Sequence, residues 1–251
     1  MDLVENIDAI EFKNGHANKT KEQIVKDENI QLKINNTGNK QFSVCYDSLK
    51  EFTIGYMLGE NIIDDIEDIE SIEIKDKQIE VHVKKDIDDD KDHIIVSDGG
   101  GGWRSKIKTI NEVNSDLTVN ATSLINNMEK LKESANIWQN TGGAHVAAII
   151  YKNEFIVKED VSRHVAVDKV IGSGALKGFD FSKSYIMYSG RMPADMLIKI
   201  ARVGIPIIVS NAAPAASGYE IAKKGNITMI GFLRGNRFNV YTNNQRVNFE
   251  K

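Results

Sequence analysis

"SYIMYSGRMPADMLIKIARVGIPIIVSNAAP", Ser184 to Pro214, decides the fold. "SYIMYSG" and "IPIIVS" are short apolar runs of strand length, and "PADMLIKIARVG" between them reads as a helix opened by Pro193 and closed by Gly204. The alternation continues on both sides. Upstream, "GGAHVAAIIYKN" and "EFIVKEDV" read as strands and "HVAVDKVIGSGALKG" as a helix. Downstream come helix "ASGYEIAKKG", strand "ITMIGFLRG" and a last strand "RFNVYT". Short apolar strands separated by helices predict an α/β sheet with helices on its faces.

Earlier segments have a different texture. Thr118 to Gln139 predicts one helix, with Leu124, Ile125, Met128, Leu131, Ala135 and Trp138 on a common face. "IESIEIKDKQIEVHVKK" predicts two strands joined by a turn at Asp76-Lys77, and "IQLKI" and "QFSVCY" predict two more. "DSLKEFTIGYMLGENII" predicts a helix that Asp47 or Ser48 can cap, with Gly59 near its end. The expected organisation is an α+β lobe over residues 1–110, ending in a glycine-rich loop, and an α/β domain over 111–251. A chain of 251 residues can bury the core this requires.

Charged residues make up 27% and the net charge is −4, which gives no general attraction to nucleic acid or to an anionic membrane. No apolar run approaches the roughly 20 residues of a membrane span. "MDLVENIDAIEFKNGH" lacks the basic-then-apolar layout of a secretory signal, so a cytoplasmic location is expected. There is one cysteine, Cys45, which excludes an internal disulfide and any cysteine-rich metal site.

Groups able to do chemistry gather at strand–helix junctions, where α/β sheets place their ligands. "TGGAH" puts Gly142 and Gly143 beside His145, a group able to move a proton or donate to an anion. "EDVSRHVAVDK" (Glu159 to Lys169) holds Asp160, Arg163 and His164 among further acids and a lysine. That density fits one wall of an anion pocket or, equally, an ion-paired helix start. "SGRM" supplies Ser189 and Arg191, and "LRGNR" supplies Arg234 and Arg237 around Gly235. Several guanidiniums at glycine-flanked bends suggest a ligand with more than one phosphate. "SDGGGGWRSK" (Ser97 to Lys106) is either a hinge or a concave set of N–H groups for an anion, and its glycine content alone favours the hinge.

In this order and spacing, "EFTIGYMLGENII", "TGGAH", "EDVSRHVAVDKVIG", "YSGRM", "KIARVGIPIIVSNAAP" and "GFLRGNRFNVYT" resemble the FdhD/NarQ family of formate dehydrogenase accessory proteins, from Gln41 to Thr242. The resemblance implies a three-layer α/β/α, cytidine-deaminase-like domain with a mixed sheet, a smaller N-terminal lobe, and a homodimer. It implies passage of sulfur from a cysteine desulfurase to a molybdenum bis(guanine dinucleotide) cofactor before that cofactor enters formate dehydrogenase. The family's cofactor-binding segment falls on Phe232, Leu233, Arg234, Gly235, Asn236 and Arg237.

The family's sulfur-carrying CxxC pair falls on Gly99 and Gly102, which have no side chain to hold a persulfide. Val165, Ala215, Pro193 and Ala194 also stand where the family has more polar residues. A zinc deaminase is excluded because one cysteine cannot complete its metal site. The first expectation is therefore an FdhD-like protein that binds a molybdenum or tungsten bis(molybdopterin guanine dinucleotide), or a guanine nucleotide such as GDP. Gly142, Gly143, Arg163, Arg191 and the 232–237 segment would do the binding, for delivery to a formate dehydrogenase-type molybdo- or tungsto-enzyme and without persulfide relay. The second expectation is sulfur transfer that survives through Cys45 or through sulfur held non-covalently. A third is another enzyme in the same pocket, with His145, Asp160 and His164 handling protons. No metal ligand is assigned to the protein's own side chains.

Overall fold

The computed structural model describes residues 3–36, 39–84 and 110–250. Gly99 and Gly102, with the whole "SDGGGGWRSK" stretch, lie outside the described residues.

The chain opens with a long hairpin, β1 (Val4–Lys13) and β2 (His16–Val25), turned at Asn14-Gly15 where both residues take positive φ (53° and 82°). That is the conformation a two-residue turn needs to match strand twist, and Asn-Gly adopts it at little cost. Four strands follow around a helix: β3 (Glu28–Ile34), β4 (Lys40–Val44), α1 (Leu49–Gly59), β5 (Ile69–Lys75) and β6 (Gln78–Val83). They form a sheet in the order β4-β3-β6-β5, with only β3 and β6 parallel. Ile30, Leu32 and Ile34 of β3 alternate with exposed or half-buried neighbours, so one face packs and the other meets water. The turn at Asp76-Lys77 forms as expected.

Next come β7 (Val119–Asn120), α2 (Ala121–Glu133) and α3 (Asn136–Thr141). The α/β unit then runs β8 (His145–Tyr151), β9 (Glu154–Asp160), α4 (Arg163–Leu176), β10 (Ser184–Tyr188), α5 (Ala194–Val203), β11 (Ile207–Ser210), α6 (Ala216–Lys224), β12 (Thr228–Arg234) and β13 (Arg237–Val240). The last strand, β14 (Val247–Asn248), pairs with β7. The large sheet has six strands in the order β13-β12-β11-β10-β8-β9 and is mixed: β10, β11 and β12 run parallel and the outer pairings are antiparallel.

Both faces of this sheet are covered. Ala147, Ile149, Ile186 and Ile208 share a core with α4, α5, α1 and the smaller sheet. Val146, Ala148, Met187, Val209 and Ile230 alternate with them and pack against α2. Each buried Val, Leu or Ile contributes about 1.5–3 kcal/mol relative to exposure, so the double cover explains why these strands read as unbroken apolar runs. Helix α4 is buried along His164–Gly174, because α1 lies on one side of it and the sheet on the other. The single helix expected over Thr118 to Gln139 is instead two. It breaks at Ser134-Ala135, and the Glu159 carboxylate accepts from the N–H groups of Ile137 (3.0 Å) and Trp138 (2.7 Å) to start α3.

Candidate functional site

Strand direction brings the expected groups to one edge. Because β8 is antiparallel to β10, His145 opens β8 at the edge where β10, β11 and β12 end. Asp160 ends β9 there, opposite His145 in the hairpin register. The loops beyond β10, β11 and β12 therefore meet the start of α4 on the edge where α/β sheets place ligands.

Those loops are tied to one another. The Ser189 hydroxyl lies 3.1 Å from His145 Nδ1 and accepts from the Val146 N–H at 3.1 Å. The Ser210 hydroxyl donates to the Gly190 carbonyl (2.7 Å) and accepts from the Ala212 N–H (2.9 Å). Met192 and Pro214 form a short bridge, and the Phe232 N–H donates to the Ala212 carbonyl at 3.1 Å. Arg234 Nε donates to the Asn211 carbonyl at 2.8 Å. Arg234 also lies over the Phe232 ring, 5.5 Å from its centre. Phe232 itself takes φ 54°, where the β12–β13 register slips.

Three arginines are attached at this edge, two beyond β10 and one at the end of β12. Arg163, first residue of α4, packs its aliphatic stem where a Cβ on Gly190 would stand, beyond β10. Arg191 is exposed in the loop after β10, and Arg234 is exposed at the end of β12 beside Asn211. At about 4.8 Å per strand, the ends of β10 and β12 are about 10 Å apart. Arg237 is exposed across the hairpin turn, which Gly235 opens at φ 54° and exposed Asn236 completes. Among the described residues, no carboxylate forms an ion pair with Arg191, Arg234 or Arg237.

Other candidates have structural duties. Leu233 is wholly buried in the core under α2. Gly142 (φ 64°) closes α3, and a Cβ on Gly143 would press on Val25 of β2. Asp160 is fully buried: it pairs with Lys169 Nζ at 2.8 Å and accepts from the N–H groups of Cys45 (3.0 Å) and Ser162 (2.9 Å). Burial pushes its carboxyl above the ordinary range even with that ammonium beside it. "EDVSRHVAVDK" thus divides: Glu159, Asp160, Asp168 and Lys169 face internal partners, His164 is buried against Asp195, and Arg163 opens α4 at the sheet edge.

One set of charges is not evident from sequence. His164 and Asp168, four apart on α4, face Asp195 and Lys199, four apart on α5. His164 Nε2 lies 3.4 Å from Asp195 Oδ2, Asp168 pairs with Lys199, and Lys199 and Arg202 reach Glu60 at the end of α1 (3.8 and 3.5 Å). Burial raises Asp168 to about 7 against the pull of Lys199. The signal was the matching i, i+4 spacing on two helices, visible only once their pairing is known.

Two clefts of about 490 and 440 Å³ share Asn61 and Arg202 at the opposite edge, where β10 and β11 begin, away from Arg163, Arg191 and Arg234. Among the described residues, no three His, Cys, Asp or Glu side chains gather as a metal-binding set, and no helix is long and apolar enough to cross a membrane.

Comparison with known proteins places this geometry in context. The model of the FdhD/NarQ family matches residues 25–248. The chain is 45% identical over 248 residues to the sulfur carrier protein FdhD of Methanothermobacter thermautotrophicus, covering 98% of this chain and 100% of that one. It is 37% identical over 203 residues to the protein of the same name from Sulfurisphaera tokodaii, covering 79% and 80%. A crystal structure from Desulfotalea psychrophila, described as a formate dehydrogenase accessory protein, superposes with a TM-score of 0.82 at 23% identity, covering 98% of this chain and 100% of that one.

Proposed function

The chain belongs to the FdhD/NarQ family, and from that premise we propose that it binds the diphosphate of a guanine-dinucleotide molybdenum or tungsten cofactor and presents it to a formate dehydrogenase-type enzyme. The observation that carries this reading is the set of arginines attached beyond β10 and at the end of β12, with Arg191 and Arg234 exposed and without a carboxylate partner among the described residues. Arg163, Arg191, Arg234 and Arg237 hold phosphate oxygens, for which a planar two-pronged donor is suited. Gly190 lets the Arg163 stem lie flat, and Gly235 turns the backbone between Arg234 and Arg237. His145, fixed by Ser189, donates to or orients the ligand near β8. The donors on this edge are cationic, so they suit the cofactor's phosphates. When bound, the cofactor supplies the metal centre that the client enzyme uses. The protein acts in the cytoplasm as a dimer, in keeping with the family resemblance.

GDP is the simplest probe. At a ligand concentration about 100-fold above Kd, linkage adds about 2.7 kcal/mol to stability, about 5–10 °C in Tm for a chain of this size. GDP is expected to give that shift and ADP less than half of it, with Arg234→Ala reducing the GDP shift. Equal shifts, or none with either nucleotide, remove the proposal.

The relatives' name, sulfur carrier protein FdhD, favours a second reading: transfer of sulfur from a cysteine desulfurase. A covalent relay would have to use Cys45, the chain's one thiol. Cys45 is wholly buried and its thiol is raised to about 11, chiefly by burial, so little thiolate exists to attack a sulfur donor. After incubation with a desulfurase and cysteine, the intact mass is expected to be unchanged. A gain of one sulfur that Cys45→Ala abolishes would reinstate the relay.

A further inference from the structure

His164 is the group at this edge that the fold leaves unsatisfied. Its ring is buried in the first turn of α4, and among the described residues neither ring nitrogen has a partner in hydrogen-bond geometry, the Asp195 carboxylate standing 3.4 Å from Nε2. A neutral imidazole carries one N–H and a charged one two, so Asp195 can face one donor at Nε2 while a second, at Nδ1, has no acceptor among the described residues. A second buried donor of this kind needs an acceptor of its own. The α4 start is also a helix N-terminus whose N-cap residue, Ser162, gives it no side-chain cap, and Arg163 is its first residue.

The surrounding charges are mixed. Arg163 and Asp168 come from α4 itself, Asp195 (3.4 Å from Nε2) and Lys199 from α5, His145 from β8 and Tyr188 from β10. Glu60 of α1 acts through Lys199. Burial first, then Lys199, Arg163 and His145, hold the ring neutral, well below its usual range. A phosphate beside Arg163 would offset the two strong cations and offer the missing acceptor.

We propose that His164 couples phosphate binding to proton uptake: when the phosphate of a nucleoside diphosphate settles at the start of α4, the imidazole takes one proton from solvent and holds the anion as a cation. This rests on the phosphate-binding reading above and makes that binding pH-dependent. One proton is gained at a ring nitrogen and no covalent bond changes. Because the ring binds its proton more tightly in the complex than in the free protein, affinity falls as pH rises through the complex's value, by at most about tenfold per pH unit.

Calorimetric titration with GDP at neutral pH, in PIPES and in Tris at equal ionic strength, counts the protons taken up. Wild type is expected to take up about half to one proton more per GDP than His164→Gln. The nucleotide's own ionisation is common to both and cancels. Weaker binding by His164→Gln with the same proton count, a purely structural effect, overturns the coupling and leaves the phosphate site standing. His164→Asn repeats the comparison should the glutamine variant not fold, and a flat wild-type affinity from pH 6 to 8, corrected for GDP's ionisation, is decisive against the coupling without any variant. No GDP binding at any pH overturns the site and the coupling together.

Discussion

Gly172→Val is expected to abolish the folded state or to cost more than about 3 kcal/mol, at the top of the range for overpacking. Helices α1 and α4 cross with their backbones touching. A Cβ on Gly172 would fall on the Glu51 carbonyl, far inside contact distance, and a Cβ on Gly55 would fall likewise on the Asp168 carbonyl. Side chains can rotate away from an intruding methyl, but backbone in the middle of a helix cannot. The two helices would have to separate, and with them the joint between the smaller sheet and the α/β layers, because Phe52, Ile54, Val167 and Ile171 share that core. Alanine in place of glycine in a helix interior normally stabilises by about 1 kcal/mol, so even Gly172→Ala separates the two effects. Propensity predicts a gain and the crossing predicts a loss. Urea unfolding of Gly55→Ala and Gly172→Ala should show losses for both, and wild-type stability in either would mean that the helices do not cross this closely.

What could be read in the sequence depended on how many faces of an element are buried. Strands β8, β10, β11 and β12 are covered on both sides, so "HVAAIIY", "SYIMY" and "IIVS" declare themselves. Strands β1 and β2 are exposed along most of their length, with Ile10 and Phe12 in the open, and they carry no burial pattern to read. Their one local signal was Asn14-Gly15. The break between α2 and α3 was illegible for another reason: its acceptor, Glu159, lies on β9, and a tertiary partner leaves no mark in local spacing. The gathering of His145, Arg163, Arg191 and Arg234 at one edge followed from strand order alone. Which members of "EDVSRHVAVDK" face inward did not, because Asp160 and Arg163 are equally polar and only the packing of α4 against Cys45 and α1 separates them.

Lys169→Met should be the most damaging single charge change, at about 3–5 kcal/mol, the usual cost of stranding one member of a buried pair. Both partners are fully buried. The Lys169 ammonium also donates to the carbonyls of Cys45 (3.1 Å) and Glu159 (3.3 Å), so it joins the chain just after β4, the end of β9 and the middle of α4 in one contact. Removing it leaves Asp160 with two backbone N–H donors and no cation. The pH response gives the test its sign. The folded Asp160 carboxyl already sits above its ordinary 3.8 because of burial, and losing the ammonium raises it further. A carboxyl raised on folding contributes stability that is fully present below its unfolded value and is lost as pH rises through the folded one. Lys169→Met should therefore be closest to wild type in acid and fall away toward neutral pH. Asp160→Asn/Lys169→Met, which buries no charge at this pair, should recover part of the loss at pH 7 and flatten the slope. Urea midpoints for the three proteins from pH 4 to pH 8 decide the matter. If the wild-type and Lys169→Met curves run parallel, the Asp160 carboxylate is not what Lys169 stabilises.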